Sequence, residues 1–583
     1  MRKLGLFLKI LTSFTISACT HEVDESGFAL NAEDPELGKS TFDPAQSLDG
    51  KEDGLRGQPG MEVAFDTSST AVWEIKNQWM DTDTPAALEA GMAWEANSGL
   101  TWDEKYSRWV ALMEKSSAAS YGNTFTFITP FGKTLPAPSL ECAETSLFLR
   151  GAFASWYGLP FFVEARDANG DRLFLGHFGF RTLTDKYANS PDFKTTYKDF
   201  SAQASDLGSR GWPEDAKLRS RRLGGSQDDE QPALFEGAHA GTYFDEIFLN
   251  KRTGYFMIYL LSYFGSVNLA DPSNTFNIKA DAIRPGDTLL HRWQRRGIGH
   301  TLVVKSVVEP QEGFMEVELV SGSMPRRQPS WDSPSTSKYN LTVSKAGGLE
   351  ESHNDGPYVK LGGGLKRWRV ATLQNGLWVN DVPATDKDVY INSRNYEELG
   401  GRIEKFEELL KELSPELKRE GILERIIAAR EHLRLYPASC AARVRREDAF
   451  KELYELESTE FYTEAAEVDG TYRRLEDYVF APLSYDESKT CCWNSTTQDM
   501  YEIIMDYAQS KIDEAGDACV EPIVFKATDG GYDIWREHAA NMGRAESWVS
   551  WSEDESCPQR DTNDDVISKD YEIAPLCSAP QSR

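Results

Sequence analysis

Cys142 lies in the run Glu141-Cys142-Ala143-Glu144-Thr145-Ser146-Leu147-Phe148, just after Pro136-Ala137-Pro138-Ser139. The prolines punctuate the chain, Ser139 is a candidate N-cap, and the apolar content that follows predicts a helix over about 140–157. Cys142 then falls in the first turn, where unpaired N–H groups and the helix dipole favour a thiolate. A second segment, Ile283-Arg284-Pro285-Gly286-Asp287-Thr288-Leu289-Leu290, reads as a tight turn opening a strand. In a third, Gly299-His300-Thr301-Leu302-Val303-Val304, His300 opens an apolar strand directly after a glycine. A thiol on a helix N-terminus and an imidazole on a facing strand are the parts of a cysteine hydrolase. The imidazole takes the thiol proton and later hands it to the leaving amine. A third polar group usually orients the imidazole. A turn at 308–313 and a returning strand at 314–323 would bring Ser321 or Ser323 beside His300, with Glu318 as the third choice. His177, in Gly176-His177-Phe178-Gly179, is a rival base, but it lacks the Pro-Gly-Asp turn and the long apolar strand that accompany His300.

Taken in order, these segments resemble the papain-like cysteine hydrolase superfamily. The cysteine helix that runs into Gly158-Leu159-Pro160 is most similar to the bacterial transglutaminase-like group. The Pro-Gly-Asp turn followed by Gly-His and a valine-rich strand is similar to the NlpC/P60 and CHAP groups. The likeness covers roughly 135–325 and is interrupted by an insertion. It implies an α+β fold with a half-barrel sheet packed on the cysteine helix, and hydrolysis or transfer at an amide bond without a cofactor. Cys142 would be the nucleophile and His300 the base. Peptidoglycan stem peptides are the usual substrates of NlpC/P60 and CHAP members. Two features depart from the family pattern. No Asp, Asn, Gln or His stands at the orienting position, where Ser321 is the candidate, and the gap between Cys142 and His300 is long for those compact domains. A transglutaminase-like chain would carry its histidine at about the distance of His177.

The elements that must position these residues belong to an exported chain. Met1-Arg2-Lys3 is a short basic segment, 4–14 is mostly apolar, and Ile16-Ser17-Ala18-Cys19 follows. This is the order of a processing signal, too short to span a bilayer. The tetrapeptide resembles a bacterial lipobox. That resemblance implies cleavage before Cys19, lipid on its thiol, and a bilayer as partner. Thr20 in place of Asp favours the outer membrane by analogy with lipoprotein sorting. Of eight cysteines, Cys440, Cys491, Cys492, Cys519, Cys557 and Cys577 lie in the last quarter of the chain. An oxidising compartment predicts that these six pair as three disulfides, with Cys142 left over as a free thiol.

The chain divides by composition. After the signal at 1–18, residues 19–70 read as a flexible acidic spacer; ten acids and three bases lie between His21 and Gly60. Residues 71–392 read as the α+β domain, with a polar insertion at about 185–240. The hairpin around Asp167-Ala168-Asn169-Gly170-Asp171 is a turn rather than a calcium loop, because no distal acid follows it. Residues 393–583 change to helical spacing, as in Leu399, Ile403, Phe406 and Leu410. The apolar run 254–265 reads as a buried helix. His239 and His353 fall in polar loops. A net charge of −30 argues against nucleic acid, whose phosphates need Lys and Arg. No metal-ligand spacing, phosphate loop or dinucleotide fingerprint is present. The sequence points to a tethered envelope thiol amidase or peptidase. The alternatives are a non-catalytic papain-like scaffold that binds a partner, and a transglutaminase-like acyltransferase.

Overall fold

The structure is a computed structural model. It describes residues 55–62, 70–119, 122–166, 172–182, 191–223, 229–293, 299–311, 313–324, 326–352, 356–410, 412–482, 496–526, 531–549 and 573–578. The architecture is α+β, and its elements follow in chain order. Arg56–Glu62 forms strand β1. Helix α1, Trp102–Ala111, starts at a capping box in which Glu104 N donates to Thr101 Oγ1 (3.3 Å) and Thr101 N donates to Glu104 (2.8 Å). Glu114–Ala119 (β2), Gly122–Ile128 (β3) and Thr134–Pro136 (β4) form one antiparallel meander. Helix α2, Cys142–Trp156, follows. Phe162–Arg166 (β5), Arg172–Gly176 (β6) and Gly179–Thr182 (β7) form a second meander. Helices α3, Ala240–Ile247, and α4, Lys251–Tyr263, precede the main sheet.

That sheet is built from Thr275–Ile278 (β8), Thr288–His291 (β9), His300–Gln311 (β10), Phe314–Ser321 (β11) and Ser330–Trp331 (β12), then Gly364–Trp368 (β13). Helix α5, Pro334–Thr342, lies between β12 and β13 in sequence. Leu377–Asp381 (β15) pairs with β1 on one side and with Val370–Gln374 (β14) on the other, and Tyr390–Ile391 (β16) closes the main sheet. The described elements from Tyr396 onward are helical, among them Arg402–Leu409 (α6), Pro415–Leu435 (α7), Cys440–Leu456 (α8) and Gln498–Ala515 (α9).

The main sheet has seven strands in the order β12-β11-β10-β9-β13-β8-β16, and every neighbouring pair is antiparallel. Side chains alternate between two faces. Leu290, Val303 and Val320 pack with Leu147 and Phe148 of α2, while Leu289, Leu302, Val304 and Leu319 pack with Leu341 of α5 and Phe406 of α6. Helix α2 is therefore an inner layer, with the sheet on one side and α4 on the other. A Cβ at Gly151 would come within 2.9 Å of Met257 Cε. This sandwiching explains why α2 and α4 are apolar nearly all round.

Two features fix α2 on the sheet. The first is a buried ion network. Arg150 of α2 pairs with Asp103 of α1 at 2.9 Å, and Arg284 pairs with the same carboxylate. Arg284 N donates to Asp287 (2.8 Å) across the Pro-Gly-Asp turn, and Arg367 of β13 donates to both oxygens of Asp287 (2.7 and 2.8 Å) and to Asp386 (3.0 Å). Burial pushes the Asp103 pKa up, but Arg284 and Arg150 outweigh it and leave it below the usual value. The second feature is a wedge. Pairing of β10 with β11 ends at Val303–Val320, and Leu140–Cys142 enters the splay between them. Leu140 N donates to Arg327 O (2.9 Å), and Ser323 N donates to Leu140 O (3.2 Å). A Cβ on Gly322 would lie 2.2 Å from Leu140 O and 2.6 Å from Glu141 O, so only glycine fits.

Several expectations change. The spacer does not extend to residue 70 unbroken: 56–62 form β1, antiparallel to β15. Main-chain pairing needs no apolar side chains, and Pro59 is tolerated on an edge strand. The segment 185–240 is not a loose insertion. Its described part holds short helices, and Tyr197, Leu218 and Leu223 are buried in the core around α2 and α4. Ser139 is not the N-cap of α2; its N–H and C=O are taken by the Gln231 side chain (2.7 and 3.0 Å), and Glu141 holds the cap position. Cys519 and Cys577 are bonded to each other. Cys19, Cys491, Cys492, Cys557, the side chain of Cys440, His353 and the 167–171 turn lie outside the described residues. His239 is half-buried and paired with Asp229 at 3.1 Å, not a free surface group. Among the described residues no helix is long and apolar enough to cross a membrane.

The wedge makes a measurable demand. Gly322→Ala should lower stability by about 1–3 kcal/mol, the usual cost of forcing extra atoms into a packed site. Gly208→Ala, with open space around its Cβ, should change it by less than about 0.5 kcal/mol. Equal denaturant midpoints for the two variants would rule out the wedge as a constraint.

Candidate functional site

Cys142 is the first residue of α2, and the wedge seats it between β10 and β11. Its side chain is 8% exposed, and its Sγ lies 3.8 Å from Gly299 O. The backbone N–H groups of Thr301 and Ala143 also point at the sulfur. The thiol therefore touches the main chain on both sides of His300. It is free and buried.

The position does not produce the thiolate that a bare helix N-terminus predicts. Burial pushes the thiol pKa up to about 11, the Glu141 carboxylate adds to this, the Thr301 and Ala143 N–H groups oppose it, and Glu144 raises it further. The physical reason is local. Glu144 accepts from Glu141 N (2.7 Å), so carboxylates occupy the first turn whose positive end would otherwise stabilise sulfur. Arg326 pairs with Glu144 at 2.7 Å, but burial still holds that carboxyl up at about 7. The thiol is protonated at neutral pH.

His300 opens β10 opposite His291, their rings 6.1 Å apart. Thr301 and Val303 face α2, so alternation turns His300 to the other face of the sheet. Among the described residues its ring makes no hydrogen bond, and none joins it to Cys142. Burial lowers its pKa to about 3, with Lys345, Arg445 and Arg327 acting in the same direction. His432 of α7 is lowered to about 3 by burial and then by Arg445 and Arg327. His291 is held well below its ordinary value, mainly by burial, and its Nε2–H donates to Asn340 O (2.7 Å).

Arg445 of α8 defines the setting. It is exposed to solvent, yet surrounding protein lowers its pKa, as Arg327 does, and Tyr339 only partly compensates. Lys345, Arg445 and Arg327 act on His300, and Arg445 and Arg327 act on His432. Five elements bring these groups near one another. Arg327 O holds Leu140, two residues before Cys142. Lys345 O accepts from Arg292 N (3.0 Å), next to His291. Helix α7 is pinned to α5 by Thr336 Oγ1 on Glu424 (2.9 Å) and by the Arg425 guanidinium, 4.0 Å over the Tyr339 ring. His432 lies seven residues after Arg425, so two turns carry it along the same side of α7. Helix α8 packs on α7 through Arg425 and Glu452 (3.0 Å). The nearby Asp332 carboxyl is pushed up to about 7 by burial and by Glu424, against Arg327, so it neutralises the cations only in part.

The other anticipated residues are elsewhere. His177 is 0% exposed, with its Nδ1 on the Phe161 backbone (3.0 Å) and its ring against Trp378 (4.8 Å). Phe161 follows the far end of α2, and a fifteen-residue helix puts about 20 Å between that end and Cys142. His177 is therefore excluded as the partner of this thiol. Ser321 is buried and pairs with Ser330 of β12; neither it nor Ser323 hydrogen-bonds His300, because the ladder ends three residues short. Glu318 pairs with Ser306, where its carboxylate accepts from the Ser306 hydroxyl (2.8 Å), about 20 Å along β10 from His300. Sequence reasoning missed Arg327, Lys345, His432 and Arg445. No local pattern marks them, since they meet only through helix packing. Comparison with protein-family models, curated proteins and solved structures found no match.

The thiol's protonation can be read directly. In a Cys19→Ser variant, alkylation of Cys142 by iodoacetamide, followed at the Cys142 peptide by mass spectrometry, should rise about ten-fold per pH unit from 7 to 10, because only the thiolate reacts. A plateau below pH 8 would show a thiolate already formed at neutral pH.

Proposed function

We propose that this chain is a thiol-dependent amide hydrolase of the bacterial cell envelope, papain-like in plan. Lipid on Cys19 would hold it to the outer membrane, and peptidoglycan stem peptides or another envelope amide would be its substrate. The observation that carries this reading is the seating of the Cys142 thiol, at the start of an inner helix, against the main chain that flanks His300. The chemistry follows the parts. Once the His300 ring, turned to the other face of the sheet here, swings to the sulfur, the thiol proton passes to it, and the sulfur bonds to the amide carbonyl carbon. In this reading, N–H groups of the first turn of α2 would serve as donors to the developing oxyanion. The C–N bond breaks as His300 returns the proton to the leaving nitrogen. Water, deprotonated by the same imidazole, then cleaves the thioester and restores the thiol.

A second reading has its own observation. A thiol held up and an imidazole held down, with no hydrogen bond between them and, among the described residues, no orienting third group, also describe a binding scaffold that performs no reaction. Transglutaminase-like transfer is less well supported, since the histidine at that family's spacing, His177, is locked in an aromatic core far from Cys142.

Incubation of the Cys19→Ser chain with purified peptidoglycan and with acidic stem peptides, followed by chromatography and mass spectrometry, separates the readings. New amine termini should appear. Cys142→Ala should abolish them, and His300→Ala should slow their release by about 100-fold or more, the usual contribution of a general base. Identical product profiles from the parent chain and Cys142→Ala would leave the scaffold reading standing.

A further inference from the structure

At the end of α8 the chain leaves regular geometry in a way that packing does not offset. The next turn, Glu457–Phe461, is wound as a π-helix, a form that is rare and concentrates at functional sites. Tyr462 follows in the left-handed region, with φ 57°. Glycine or asparagine usually takes such a position at a helix end, and a bulky side chain is strained there. Tyr462 is nevertheless 88% exposed, so burial does not account for it. Among the described residues its hydroxyl makes no hydrogen bond, and no other ring or cation stands against it. The turn beneath it is fixed. Glu457 pairs with Arg419 of α7 at 2.6 Å, and the Arg419 guanidinium lies 3.5 Å over the Phe461 ring. Tyr462 N and Thr463 N both donate to Glu457 O. With Glu457 and Phe461 gripped by α7, Tyr462 is turned outward. An aromatic side chain is thus presented to water on a strained, well-held backbone, an arrangement that stability alone does not select.

A groove of about 640 Å³ opens beside Tyr462, within the roughly 300–1,000 Å³ of small-molecule sites. Tyr454 lines it, half-buried and locked: its hydroxyl donates to Asp469 and accepts from Arg473 Nη2 (2.8 Å) and Nε (3.1 Å). The carboxylates of Glu455 and Glu464 and the hydroxyls of Ser458 and Thr463 complete the polar part of the wall. Among the described residues no basic side chain lines the groove, which disfavours phosphates and carboxylates as ligands, and neither glutamate has an ion pair. A sugar ring has the complementary surface. Its C–H face is apolar and lies well on the electron-rich face of an aromatic ring. The hydroxyls around its edge donate to carboxylates in strong, charge-assisted bonds and exchange hydrogen bonds with Ser and Thr. An ammonium ion would meet the same carboxylates, but it gains most from several ring faces around one charge. Of the two tyrosines here only Tyr462 is exposed.

We propose that the groove at the end of α8 is a saccharide-binding site, with Tyr462 as its stacking platform and Glu455, Glu464, Ser458 and Thr463 as partners of the sugar hydroxyls. The contact depends on stacking and on hydroxyl hydrogen bonds, not on opposite charge, so a chain of net charge −30 can make it with a neutral glycan. It needs no reaction at Cys142, and it stands or falls separately from the hydrolase reading.

The full chain carrying Cys19→Ser is titrated by calorimetry with cellotetraose, with chitotetraose and with putrescine. At least one tetrasaccharide should bind, and putrescine should not displace it. Tyr462→Ala should weaken that binding at least about ten-fold, as loss of an aromatic anchor does, with the thermal unfolding midpoint unchanged. Tyr462→Phe keeps the ring face and should stay within about three-fold of the parent. Should Tyr462→Ala unfold, Tyr462→Gly carries the same expectation, since glycine adopts this φ without strain. Binding of neither tetrasaccharide would overturn the site, as would equal binding by the parent and the Tyr462 variants. Putrescine binding that is lost in Tyr462→Ala, with no heat from either tetrasaccharide, would replace the saccharide by a cation.

Discussion

Everything around the candidate site depends on one substitution of partners: the start of a helix takes the place that strand pairing would fill. Past Val303 and Val320, β10 and β11 would pair on if left alone. Instead Leu140 bonds to Arg327 and Ser323, closing the main-chain groups that the splay leaves open. Backbone donors buried without partners are costly, so the splay and the helix start stabilise each other and neither is favourable alone. Gly322 permits the close approach, and the ion network from Arg150 through Asp103 to Arg284, Asp287 and Arg367 holds the remaining length of α2 flat on the sheet. Because buried pairs lose most when one partner is removed, this network resists sliding of α2 more than it adds to net stability.

The same wedge determines the electrostatics of the thiol. A helix that began in open solvent would present its positive end to Cys142. Here Glu141 and Glu144 occupy that turn, and Arg326 is engaged with Glu144. Two effects therefore compete at one sulfur, and burial with nearby carboxylates outweighs the N–H groups of Thr301 and Ala143. On the other face of the sheet the signs reverse: His300 sits among cations and is held neutral. A chain of net charge −30 thus brings three cations, Lys345, Arg445 and Arg327, to bear on one histidine.

Part of this arrangement was legible in the sequence because it is local. Periodicity gave α2, and alternating apolar residues after turn signals gave β9, β10 and β11 close to their observed limits. The pairing of Cys142 with the neighbourhood of His300 followed from the order of those pieces. The details that failed were those settled by tertiary contact. Ser139 has the chemistry of an N-cap, but the Gln231 side chain claims its backbone groups. Ser321 has the right register by counting from the turn, but the ladder ends before it reaches His300. β1 has the composition of a spacer, and its partner β15 lies more than three hundred residues away in the chain. The cluster of charges around His300 was illegible. Arg445 and His432 belong to a helical segment that reads as a separate unit, and nothing in their spacing shows that α7 and α8 close over α5.

That closure changes how the C-terminal helices should be regarded. If α7 and α8 were only a neighbouring module, their contacts with the sheet domain would be at the rim and its site would be complete without them. Instead Thr336 of α5 reaches Glu424 of α7, Arg425 lies over Tyr339, and Met315 of β11 bridges to Leu410 just after α6. The helices supply His432 and Arg445, and Arg445 acts on both His432 and His300. Their presence also lowers the basicity of His300, because Arg445 is one of the cations acting on it. The helical region is therefore not electrostatically separate from the sheet: through Arg445 it bears on the proton affinity of His300.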